Sequence, residues 1–160
     1  MQSCTKRKCT KKDPSIIMNF VINGFKKTND EAIRDAINFT ATIAHFIALY
    51  EHYSMDKSDD TKRLLISVDN DVMYFKDKFN SICSIRNYKY EIIKTHINDF
   101  NKYIKSKDNL KYDTISKETI NDIKSKINIM NNEIEIFNST KHAINLNINT
   151  IKLYRKVEIA

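Results

Sequence analysis

The stretch INDIKSKINIMNNEIEIFNSTKHAINLNINTI, residues 120–151, decides the fold. Within it Ile120, Ile123, Ile127, Met130, Ile134, Phe137, Lys141, Ile144, Ile148 and Ile151 follow one another at steps of three and four. Such steps keep one side chain per turn on a single helix face, and a repeat near 3.5 residues held over more than four heptads marks a coiled-coil-like seam. Lys141 is its one polar member. A competing signal lies near the end, where Ile144, Leu146 and Ile148 alternate with Asn145, Asn147 and Asn149. Asn is a poor helix former and alternation is strand-like, so a terminal strand is the other reading of that segment.

Upstream of the seam, Leu65, Val68, Val72, Phe75, Phe79 and Ile82 step in the same way, and Tyr90, Ile93, Ile97, Phe100 and Ile104 resume the series. Arg86 falls on that stripe and Asn87 offers a bend, so the stretch is one helix of about 45 residues or two shorter ones. The polar segment 105–113 separates this stripe from the seam. Two long stretches of similar length joined by a short loop most simply fold back as an antiparallel hairpin, about 65 Å long if unbroken.

Further toward the N-terminus, Thr28 and Glu31 have the spacing of a capping box and predict a helix start. From there to Ser54, Ile33, Ile37, Thr40, Ala44, Ile47 and Glu51 share one face, and Ala36, Phe39, Ile43, Phe46, Tyr50 and Tyr53 share another. A helix apolar around most of its circumference is surrounded by other helices, which places this one at the centre of a bundle. Asp13 before Pro14 reads as an N-cap with proline at the first helical position. It predicts a short helix over 14–26 that buries Ile17, Phe20 and Val21. Ser58 or Asp59 is the expected cap of the helix after the acidic loop 55–60.

With 160 residues, 41% of them hydrophobic, the chain has the size and apolar content of one domain. One Gly and one Pro exclude most turn-rich all-β folds and every chemistry that runs on a glycine loop. The fold class is therefore all-α: a helical bundle with a central apolar helix and a long antiparallel C-terminal hairpin. A single domain over 13–160 follows a disordered basic tail, 1–12. That tail contributes Lys6, Arg7, Lys8, Lys11 and Lys12, most of the formal charge of +7. No secretory signal is present in the chain as given, and the apolar stretch 41–50 is half the length of a membrane span, so a soluble protein is expected. Ile, Lys and Asn make up about 65 of the 160 residues, a bias found in chains encoded by AT-rich genomes.

The residues that carry chemistry form no constellation. His45, His52, His96 and His142 lack the spacing of helix-borne zinc or di-iron ligands, and Cys83 beside Ile82 reads as a small buried apolar residue. The triplets starting at Asn38 and Asn138 match a glycosylation acceptor at the frequency chance supplies. In the tail, Cys4 and Cys9 bracket three cations, which lowers a thiol's pKa. They admit a local disulfide, a pairing with Cys83 that leaves one thiol over, acylation beside a basic cluster, a processed lipoprotein start at Cys4, or an incidental role in a solvated tail.

The expected function is accordingly non-enzymatic, with no cofactor and no metal: a scaffold or binding protein that holds another protein by helix packing. Phe39, Phe46, Tyr50 and Tyr53 are the candidate groove residues. The seam at Ile120, Ile123, Ile127, Met130, Ile134, Phe137, Ile144, Ile148 and Ile151 serves self-association if it packs on a second copy. The alternative is an anionic-surface binder, for membrane or nucleic acid, that works through Lys6, Arg7, Lys8, Lys11 and Lys12. Lipidation of Cys4 or Cys9 would make it a tethered surface protein.

Overall fold

A computed structural model describes residues 14–106 and 115–159, with side chains described through residue 154. The tail 1–12 with Cys4, Cys9 and its five cations, the Asp13 cap and most of the second loop lie outside the described residues. Those described form three helices: α1 (Pro14–Met55, 42 residues), α2 (Asp59–Lys105, 47 residues) and α3 (Lys117–Ile159, 43 residues). The protein is an all-α helical bundle, and no strand occurs among the described residues. The alternating Ile–Asn segment 144–149 is helical. There Ile144 and Ile148 extend a heptad series already running for three turns or more, and burying that face outweighs the weak helix propensity of Asn.

Helix starts are set by side-chain caps. The Ser58 Oγ accepts the Thr61 backbone N–H at 3.2 Å, and Asp59 and Asp60 place negative charge in the first turn of α2, where the helix dipole favours it. The α3 start repeats the device, with Ser116 Oγ accepting the Thr119 N–H at 3.1 Å. Across 82–93 the helix α2 continues without a break, and Asn87 lies exposed on it rather than at a bend.

The N-terminal third differs from the sequence expectation in two respects. Residues 14–55 are a single helix, so Thr28 is not a cap. Its Oγ1 donates to the Gly24 carbonyl at 3.3 Å and accepts from Lys89 Nζ at 2.8 Å, both in mid-helix. The apolar register is also displaced. Met18, Ile22 and Phe25 are buried, whereas Ile17 and Val21 are half-buried and Phe20 faces solvent. The reason is continuity: positions 18, 22, 25, 29, 32, 36, 39, 43, 46, 50 and 53 form one unbroken series of threes and fours, and only that phase serves the whole helix. Asn29, fully buried, is its polar member. The same economy leaves the other face of α1 uncovered, with Ile37 and Ala44 exposed, so one stripe is buried and not the whole circumference.

Gly24 is an interior helix residue, and a Cβ there would meet nothing within 4 Å. Gly24→Ala is therefore expected to stabilise the protein by about 0.5–1 kcal/mol, read as a rise of about 1–4 °C in melting temperature. A fall would mean that the helix is interrupted at this position.

The described residues gather into two compact units, each built from a segment of every helix. In the first unit, formed by residues up to Thr28 and Arg86–Ile134, the core is Met18, Ile22, Phe25, Ile93, Phe100, Ile123, Met130 and Ile134. Here Phe25 meets Tyr90 and Thr28 meets Lys89, while Pro14 and Met18 line a cleft with His96 and Phe100, so these segments of α1 and α2 run in opposite directions. The pairs Lys126–Asn19 and Lys26–Glu133 show α3 running along α1 in this unit. In the second unit, Asn29–Ile85 with the residues from Glu135 onward, the core holds Phe39, Ile43, Phe46, Val72, Phe79, Phe137, Ile144 and Ile151. Its centre is aromatic: the Phe79 ring lies 6.0 Å from Phe39 and 6.2 Å from Phe137.

Candidate functional site

The seam residues of α3 divide between the two cores. Ile123, Met130 and Ile134 are buried in the first unit with Ile120 and Ile127 packed against them, and Phe137, Ile144 and Ile151 are buried in the second with Ile148 beside them. Their partners are the chain's own α1 and α2. Lys141 is half-exposed, as a lysine with an apolar stem and a solvated ammonium should be.

The four aromatic residues expected to line a groove are placed differently. Phe39, Phe46 and Tyr53 belong to the core of the second unit, where the helical stripe of α1 puts them. Tyr50 is half-buried and stacks on Tyr154 with ring centroids 4.5 Å apart and planes 9° from parallel. The Tyr154 hydroxyl also donates to Glu51 Oε1 at 3.4 Å. The exposed edge of Tyr50 is thereby taken up by the chain itself.

In the first unit a buried cation interrupts the apolar packing. Arg86 is only 4% exposed, with its guanidinium carbon 5.4 Å from the Phe25 ring centroid and 5.7 Å from that of Tyr90. Its Nη1 donates to Asn87 Oδ1 at 3.2 Å, and Lys94 Nζ lies over the Tyr90 ring at 5.0 Å. A guanidinium between two aromatic faces is an attractive arrangement, but it offers no open site to a ligand.

Shallow clefts open at the surface of the described residues. One, of about 130 Å³, is lined in the first unit by Pro14, Ile17, Met18, His96, Asp99 and Phe100. Another, of about 380 Å³, is lined in the second unit by Glu31, Arg34, Asp35, Lys78, Ser81 and Ile82, with Lys78 Nζ 3.6 Å from Asp35 Oδ1. His96 and Asp99, three residues apart on α2, put an imidazole and a carboxylate on one wall of the first cleft. Among the described residues no three His, Cys, Asp or Glu side chains gather to hold a metal ion. His52 pairs with Asp56 at 3.8 Å on the surface, and Cys83 is a buried member of the second core. No helix among the described residues is long and apolar enough to cross a membrane.

What the helices leave outward is more informative than what they enclose. On α3, Ile136, Ala143, Leu146 and Leu153 lie exposed within the second unit, at positions 7, 10 and 17 residues after the first, which places them on one outer face. Leu146 is 55% exposed and Leu153 60%. On α1, Ile16 and Phe20 lie one turn apart, 68% and 79% exposed, on the side away from Met18, Ile22 and Phe25. The repeat of Ile at 129 and 136, two places after each seam residue Ile127 and Ile134, was visible in the sequence as apolar surplus. The Phe20 exposure was hidden by six apolar residues among positions 16–22, a run that names no face.

No protein-family model matches the chain, and neither a curated protein nor a solved structure matches it.

Proposed function

We propose that this is a non-enzymatic binding protein that holds another protein by helix packing, and that the holding surface is the outer face of α3 in the second unit. The observation that supports this reading is the row Ile136, Ala143, Leu146 and Leu153, exposed on a helix whose seam is already satisfied by its own chain. An apolar row of this spacing takes the apolar stripe of a partner helix. Burying a large aliphatic side chain is worth about 1.5–3 kcal/mol, so three of them supply an affinity that salt does not screen.

The test is capture of partners from the native source at low and at about 0.3 M salt, comparing the full chain with a Leu146→Asp/Leu153→Asp variant. Capture that survives salt and falls at least ten-fold in the variant is expected, with the melting temperature shifted by less than about 2 °C because both positions face solvent. Capture indifferent to both substitutions would remove α3 as the holding surface. A two-chain mass in ultracentrifugation that the variant abolishes would identify the partner helix as that of a second copy.

A further inference from the structure

Net charge is concentrated at one end of this sequence. Residues 1–27 contain seven basic residues and one acid, Asp13, whereas residues 28–160 contain 20 basic and 19 acidic. The first two turns of α1 lie in that cationic segment, and they carry Ile16 and Phe20, both largely exposed. By helical spacing Lys27 lies on the same face, two turns beyond Phe20, and it too is exposed. Large apolar side chains in a cationic stretch of sequence, on a helix face turned away from the core, suit a counterpart that is both anionic and apolar.

We propose that the start of α1 docks on an anionic lipid bilayer, with Phe20 and Ile16 entering the boundary between headgroups and acyl chains and the excess positive charge of residues 1–27 supplying the attraction to acidic headgroups. Interfacial helices combine these two features: apolar side chains reach the acyl boundary while basic residues are drawn to acidic lipids. The electrostatic part amounts to about a five-fold gain in binding for each Lys or Arg near the surface. Nucleic acid offers the anionic partner but no apolar medium, and so gives Ile16 and Phe20 no role. This surface belongs to the first unit and the α3 row proposed above to the second, and the two share no residue, so either proposal can fail without the other.

The experiment is flotation of the full chain with vesicles of phosphatidylcholine alone, or of three parts phosphatidylcholine to one part phosphatidylserine, at about 0.1 M salt. Binding to the mixed vesicles and not to the neutral ones is expected. Ile16→Ala/Phe20→Ala should weaken it about ten-fold or more without changing retention on heparin or the helical circular dichroism. Lys6→Gln/Arg7→Gln/Lys8→Gln should weaken it about a hundred-fold and reduce heparin retention as well. The chain has no Trp, so Phe20→Trp supplies a unique probe whose emission should shift to the blue with mixed vesicles. Leu146→Asp/Leu153→Asp should leave vesicle binding unchanged. The proposal is overturned by binding that ignores the Ile16 and Phe20 substitutions, by equal binding to neutral vesicles, by indole emission of the Phe20→Trp variant that does not move, or by heparin retention without vesicle binding.

Discussion

Phe137→Ala is expected to lower the unfolding free energy by about 3–5 kcal/mol, a large share of the stability of a domain of this size. Phe137 is 1% exposed and supplies the α3 ring to the Phe39, Phe79 and Phe137 group, one aromatic from each helix. Truncating it removes the buried area of a large ring, and it leaves a cavity that three rigid helices cannot close. Its neighbour Ile136 points outward, so Ile136→Ala should cost less than about 0.5 kcal/mol. Urea denaturation of both variants measures the contrast. Equal losses, or a larger loss at 136, would put the α3 seam one residue out of register.

Arg86→Ala is expected to cost about 3 kcal/mol, since it opens a cavity against Phe25 and Tyr90 and strips a buried network of its charge. Arg86→Met fills much of the same space without a charge and should cost less than about 1.5 kcal/mol, because well-packed apolar replacements of buried ions are often close to neutral. The difference between the two variants in thermal or urea unfolding separates packing from charge. If Met is as damaging as Ala, the guanidinium's electrostatic contacts govern the site rather than its volume.

Each long helix interrupts the middle of its apolar series with an amide or a cation: Asn29 in α1, Arg86 in α2 and Lys141 in α3. Those residues account for much of what the sequence concealed. The α3 seam and the α2 stripe were legible because Ile, Val, Leu and Phe recur on one face and the neighbouring positions are largely polar. In α1 the stripe passes through Asn29, inside the deceptive Thr28–Glu31 spacing and five residues after Gly24, so the series looked like a short helix followed by a longer one. Apolar residues at 16, 17, 18, 20, 21 and 22 then fit two phases equally well, and only the alignment with Ala32, Ala36 and Phe39 selects Met18, Ile22 and Phe25. The candidate site was less legible still. Phe39, Phe46 and Tyr53 have the composition of a binding groove, but aromatic size also makes them the best core fillers, and burial is a property of the assembled helices. The outward row of α3 and the exposed Phe20 become visible only once the buried stripes have been assigned.

The apolar seam of α3 packs on α1 and α2 of its own chain. Zero-length carbodiimide coupling on an equal mixture of ¹⁴N- and ¹⁵N-labelled protein tests this directly, because Lys26 Nζ lies 3.6 Å from Glu133 Oε1 in the first unit and Lys78 Nζ lies 3.6 Å from Asp35 Oδ1 in the second. Mass spectrometry should find both cross-linked peptide pairs with a single isotope label throughout. Pairs that join a ¹⁴N peptide to a ¹⁵N peptide in statistical proportion would show the helices packing between copies instead.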